Sequence, residues 1–356
     1  MPRMKFASLC LSVIIAASAM PGGAVAQRDP LAAAGAVDPL AVSPLHQVTL
    51  VTRDIRAARQ FYASAMAMTP SATRSAAKQT ITRLGLKAPG VEVVFARPTS
   101  GTAQVRVISP RAAPAPLRPD HVALLPGGLA MGMPVANQAA RQALVKTAGF
   151  DSVVGPTTMT LPRGDGTSYT VGEIHYRAPD GVLVLGIDRG SMPPVGLIDP
   201  LTGVGGPAYA SLIVEDLPGS ERFMRDVLRY EKRRDAVFAS SGPNGGLGLA
   251  EGQRFVFQQW FAPGASSGYV ILMKMLDRAA APANRGSANR GSTNRRPASG
   301  MAMLGFEADD LAAVEQRARA MGSRVIAAPD ARTPSLTLAM PDGFLIEVSP
   351  RQGGKR

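Results

Sequence analysis

The chain has 356 residues, 46% hydrophobic, 18% charged and 5% aromatic, with a formal net charge of +13. Such a composition excludes a disordered or collagen-like protein and is enough for one large domain or two ordinary ones. Ten of the basic residues fall in a leader, one polar tract and the C-terminal tail, so the body is close to neutral. With few aromatic rings to stack on bases, a nucleic-acid partner is not expected.

At the N-terminus, Arg3 and Lys5 precede an apolar run from Phe6 to Met20, and Ala24-Val25-Ala26 supplies the small residues that a signal peptidase needs before Gln27. Residues 1–26 therefore read as a secretory signal peptide. The run is too short to span a bilayer and is followed by Pro21, Gly22 and Gly23, so no stable membrane anchor is expected after cleavage. A periplasmic or secreted location follows. Cys10, the single cysteine, lies in the leader, which leaves the mature chain without disulfides.

The first periodic segment is His46 to Val51, alternating like a strand. Asp54 can then cap a helix with apolar positions Ile55, Ala58, Phe61, Tyr62 and Ala65. A second strand-like run, His121 to Leu125, precedes a helical run through Ala140, Leu144 and Val145 that ends at Gly149. Pro179-Asp180-Gly181 is a turn between alternating segments. With a two-residue hairpin loop, Ile174 pairs with Leu185. Ile174 and Tyr176 then share the face of Leu185, while Glu173 and His175 point away. Residues 189–207, with Pro193, Pro194 and Pro200, read as a linker.

The same pattern then repeats. Ala210 to Val214 is strand-like, Asp216 caps, and Leu217, Phe223, Val227 and Leu228 form the apolar stripe. The tract 279–300 contains the near-repeats Ala283-Asn284-Arg285-Gly286-Ser287 and Ala288-Asn289-Arg290-Gly291-Ser292, a composition expected of a flexible insert. Met301 to Phe306 is followed by the cap Asp310 and a stripe through Leu311, Val314 and Ala318, and Pro341-Asp342-Gly343 makes the last turn. Asp54 and Asp216 are 162 residues apart, and so are Pro179 and Pro341, which points to an internal duplication. The chain reads as four units of strand, helix and about three strands, beginning near residues 45, 119, 208 and 301.

On these residues the sequence resembles the vicinal oxygen chelate superfamily, which includes glyoxalase I, bleomycin-resistance proteins and extradiol dioxygenases. The resemblance is carried by His46, Asp54, Phe61 and Tyr62 at the front and by Pro341-Asp342-Gly343-Phe344-Leu345-Ile346-Glu347 at the back. It implies an α+β fold of four βαβββ modules paired into two cup-shaped domains. Modules one and two would form the domain 45–188, and modules three and four the domain 208–350.

The resemblance also implies where a metal would sit: between a His on the first strand of one module, a His or Gln on that of its partner, and Glu residues on closing strands. His46 and His121 are assigned to the first-strand positions of the first half. Glu347 holds a closing-strand position in module four, but Ala208 and Ala302 stand where its own half would need a His. Leu185 occupies the position equivalent to Glu347 in module two, and Arg106 or Val107 that in module one. Two histidines fall short of the three protein ligands a catalytic cation usually takes. His46 and His121 thus remain candidates for metal binding, for direct hydrogen bonding or proton transfer with a ligand, or for a structural role.

Two function classes remain open. One is a small-molecule binding protein of the bleomycin-resistance kind, with Tyr176 and Leu185 lining a cup for an apolar or aromatic ligand and no cofactor. The other is a lyase, isomerase or ring-cleaving dioxygenase dependent on one divalent Fe, Zn, Mn or Ni, with a third ligand not identified.

Overall fold

The computed structural model describes residues 38–97, 103–121, 125–162, 167–242, 249–277, 297–331 and 333–351. The leader expected over 1–26 and nearly all of the insert expected over 279–300 lie outside them. The four modules are present. Module one comprises β1 (Gln47–Val51), α1 (Ile55–Arg59) continuing as a wide turn over Gln60–Ala65, β2 (Thr69–Pro70), β3 (Arg74–Ser75), α2 (Lys78–Arg83), β4 (Gly90–Ala96) and β5 (Gln104–Pro110). Module two follows with β6 (Gly127–Pro134), α3 (Gln138–Thr147), β7 (Ser152–Pro162), β8 (Ser168–Arg177) and β9 (Leu183–Asp188). Module three comprises β10 (Tyr209–Ile213), α4 (Leu217–Arg222) with a second wide turn over Phe223–Val227, β11 (Glu231–Ser241), β12 (Glu251–Phe261) and β13 (Tyr269–Met275). Module four has β14 (Gly300–Ala308), α5 (Leu311–Ala320), β15 (Val325–Ala327), β16 (Leu336–Ala339) and β17 (Leu345–Pro350).

Each module's helix starts for the same local reason. Asp54 accepts hydrogen bonds from the Arg56 and Ala57 amides, and Asn137, Asp216 and Asp310 cap α3, α4 and α5 in the same way. Each cap satisfies amides that have no partner within the helix, a contribution of about 1 kcal/mol. The strands divide their side chains by period two. Val48, Leu50, Val105, Val107, Leu304, Phe306, Ile346 and Val348 face the helices and are fully buried in one large core, and the intervening residues face the opposite side of the sheet.

The pairing of modules differs from the expected one. β1 pairs antiparallel with β14, which joins module one to module four, and β6 pairs antiparallel with β10, which joins module two to module three. One sheet runs β15-β16-β17-β14-β1-β5-β4-β2, with β3 also on β4, and the other runs β11-β12-β13-β10-β6-β9-β8-β7. The domains 45–188 and 208–350 are thus replaced by two sheets that each take a module from either half. Both seams are closely packed. Gly132 on β6 lies opposite Tyr209, whose ring occupies the space a Cβ on Gly132 would need, and Gly305 on β14 lies opposite Gln47 in a closely packed approach.

The segment 189–207, expected to be a linker, is docked. Val204 bridges to Val135, and buried Arg97 donates from Nη1 to the Thr202 hydroxyl at 2.6 Å and pairs with Asp199 at 3.5 Å. Arg141, also buried, donates to the Ala65 carbonyl at 2.6 Å and to the Thr202 carbonyl at 2.5 Å. Burial pushes both guanidinium groups below their ordinary pKa, and Asp199 works against that shift at Arg97.

Candidate functional site: the cup of modules one and four

Pairing β1 with β14 brings the closing strands β5 and β17 to either side of a shared concave face. Thr49 on β1 is in register with Arg106 on β5, and Gly305 on β14 with Glu347 on β17. Glu92 projects from β4, one strand further out, and Arg74 comes from β3. Gln47, Arg74, Thr80, Glu92, Arg106, Gly305 and Glu347 line a cavity of about 430 Å³.

The floor is a network of opposite charges. Arg106 donates from Nε to Glu92 at 3.0 Å and from Nη2 to the Thr80 hydroxyl at 2.9 Å, and its Nη1 lies 3.5 Å from Glu347. Arg74 donates from Nε to the other Glu92 oxygen at 2.6 Å. Glu347 also accepts from the Ser335 hydroxyl at 3.1 Å and pairs with Arg83 at 3.5 Å. The side chains of Arg106, Glu92 and Glu347 are only 12%, 4% and 11% exposed, so their mutual attraction acts with little screening by solvent.

No family model and no curated protein matches the sequence. Solved structures do. Glyoxalase I from Zea mays aligns over 86% of this chain and 91% of its own with 14% identity and a TM-score of 0.54. A single-substitution variant of the same maize enzyme aligns over 87% of this chain and 94% of its own at 13% identity and a TM-score of 0.55. A Bacillus subtilis protein described provisionally as a dioxygenase aligns over 88% of this chain and 87% of its own, with 12% identity and a TM-score of 0.54. The chain has the glyoxalase-like fold. Identity this low establishes the architecture, α+β with paired βαβββ modules, and leaves chemistry to the residues themselves.

In this glyoxalase-like architecture the residues singled out from the sequence do not converge. His46 precedes β1 at the edge of the first cup, with its imidazole 3.9 Å from Glu307. His121 is not on a first strand. It is a turn residue with φ of 58°, its Nε2 lies 3.2 Å from the Ala178 carbonyl and its Nδ1 lies 3.4 Å from Arg177. Desolvation pushes the His121 pKa down, the Ala178 hydrogen bond opposes this, and Arg177 adds to it. The first strand of module two begins only at Gly127, in the other sheet from His46.

Tyr176 is also corrected. It is fully buried on the helix-packed face, and its hydroxyl has no hydrogen-bond partner among the described residues. The cause is a one-residue difference in hairpin register. The loop holds three residues, Pro179, Asp180 and Gly181, so His175 pairs with Leu185 and Tyr176 with Val184. Glu173, His175 and Leu185 consequently share the concave face of the second sheet, and His175 Nε2 lies 3.1 Å from Glu173.

That second cup is occupied by its own side chains. Tyr209, Tyr269 and Phe261 stack at centroid separations of 4.9 Å and 4.4 Å. Its closing-strand positions are Leu185 and Ile271, which offer a cation nothing. In the first cup the equivalent positions are Arg106 and Glu347, with Thr49 and Gly305 beside them on the first strands. A permanently charged guanidinium at one of these positions, paired with the only carboxylate at the others, does not fit a divalent cation. Among the described residues no three His, Cys, Asp or Glu side chains gather where one ion could be shared.

Glu347 was legible from the sequence as a closing-strand residue. Glu92, Arg74 and Thr80 were not singled out, although the alternation Val91-Glu92-Val93 places Glu92 on the face opposite buried Val93.

Proposed function

We propose that the chain is a metal-independent binding protein whose cup from modules one and four takes a small polar molecule. The observation that carries this reading is Arg106, which stands in register with Thr49 and ties together Glu92 and Glu347. Because the arginine cannot lose its charge near neutral pH, Glu347 stays engaged by a cation of the protein's own. The lining favours a polar ligand over the apolar or aromatic one expected from the sequence, since charged, amide and hydroxyl groups make up most of it. The size of the cavity suits a ligand of metabolite dimensions.

Metal analysis tests this directly. The purified full chain, stripped with a mild chelator, reloaded separately with iron, zinc, manganese and nickel and then desalted, should retain only substoichiometric metal. One equivalent retained through desalting would overturn the proposal and restore the lyase, isomerase or dioxygenase reading. Export is a second part of the proposal, supported by Ala24-Val25-Ala26 at the end of a signal-like leader. The intact mass of protein recovered from outside the cytoplasm should correspond to a chain beginning at Gln27 or within a few residues of it. A mass that includes Met1 would remove this part.

A further inference from the structure

We infer that the molecule held in the cup of modules one and four carries a carboxylate, which docks on the free edge of the Arg74 guanidinium. This rests on the proposed reading of that cup as a binding site. Each carboxylate in the floor of the cup is already engaged by the protein's own donors. Both Glu92 oxygens are engaged, one by Arg74 Nε and one by Arg106 Nε. Both Glu347 oxygens are engaged as well, one by the Ser335 hydroxyl with Arg83 nearby and the other by Arg106.

The donors are not used up. Among the described residues Arg74 uses only its Nε, its side chain is 69% exposed, and it lines the cavity. Its two terminal nitrogens form the planar fork that matches a carboxylate. Three arginines, Arg74, Arg83 and Arg106, meet two carboxylates, Glu92 and Glu347, so the network carries one positive charge in excess. Glu307, beside His46 at 3.9 Å, is not among the lining residues. The amides of Gln47 and Gln79 and the hydroxyls of Ser75, Thr333 and Ser349 add neutral hydrogen-bonding groups around the same space. A cationic fork surrounded by neutral donors and acceptors recognises a small hydroxy-carboxylate.

The test compares acids with their neutral counterparts on the full-length chain by titration calorimetry. The probes are gluconate against glucitol, and mandelate against phenylethanediol. At least one acid should bind saturably, with its neutral counterpart about tenfold or more weaker, as expected when a charge-assisted pair is lost. Arg74→Gln should lower the acid's affinity to that of the neutral counterpart, and a melting temperature within a degree or so of the parent chain would show that the fold is retained. Equal binding of acid and neutral compound, or acid binding unchanged in Arg74→Gln, would overturn the carboxylate inference and leave the cup as a binding site. Absence of saturable binding by all four probes would overturn both.

Discussion

Arg106→Met should lower the free energy of unfolding by about 3 kcal/mol, read as a fall in the urea midpoint at unchanged slope. The side chain is nearly buried between two carboxylates that are themselves nearly buried. Removing it leaves Glu92 with Arg74 alone, and Glu347 with Arg83 and Ser335. An incompletely neutralised carboxylate in a low-dielectric site costs several kcal/mol, and the remaining arginines hold the loss toward the lower end. Arg106→Lys should recover only part of it, because one ammonium cannot reach Glu92, Glu347 and Thr80 from three directions as the guanidinium does. Arg74→Gln, at the exposed end of the same network, should cost less than about 1 kcal/mol. A loss for Arg106→Met as small as that for Arg74→Gln would mean that the network is solvated and contributes little.

The modules themselves were readable because their signals are local. A capping Asp ahead of a 3.6-residue stripe fixes where a helix begins, and Asp54, Asp216 and Asp310 all do what their positions imply. Which modules pair is not local. Every first strand offers the same antiparallel edge, and the seams are packed by contacts such as Tyr209 over Gly132, two residues 77 positions apart in the sequence that meet only once the sheet exists. His121 was misplaced for a related reason. The first strand of module two, Gly127-Gly128-Leu129-Ala130-Met131-Gly132-Met133, has no β-branched residue to advertise it, whereas the strand-like run His121 to Leu125 ahead of it does.

The candidate site was half readable. Glu347 could be placed by the resemblance, which also left Arg106 or Val107 where a carboxylate is implied in module one. The partners of Arg106 other than Glu347 come from α2 and β4, elements that carry no motif and whose relation to β17 depends on the unexpected pairing of modules one and four. The hairpin after β8 shows how little is needed for a site residue to be lost. One extra loop residue moves Tyr176 from the cup to the core and brings Glu173 and His175 onto the concave face.

That loop also carries the second large effect. Gly181→Ala should cost about 3 kcal/mol or more, from two sources that add. Gly181 has φ of +77°, where an L-residue with a Cβ loses about 1–2 kcal/mol. Its Cβ would also stand 1.9 Å from the Arg118 carbonyl oxygen and 2.7 Å from the carbonyl carbon, a backbone clash no rotamer change can relieve. The carbonyl has little room to retreat. It accepts from the His121 amide at 3.1 Å, and the buried Arg118 side chain ties the same stretch down by donating to the Gly128 and Leu125 carbonyls. The turn cannot easily move the other way, because Asp180 accepts from the Thr52 hydroxyl at 2.5 Å and from Arg53 Nε at 3.2 Å in module one. Gly149→Ala separates the two sources. Its φ of +80° is the same conformation, but no heavy atom lies within 4 Å of the added Cβ, so only the backbone penalty of about 1 kcal/mol should appear. Urea unfolding of the two variants side by side reads the difference. Equal losses would show that the Arg118 segment yields and that the turn is not held between modules one and two, whereas a Gly181→Ala loss that exceeds the Gly149→Ala loss by about 2 kcal/mol measures the rigidity of that junction.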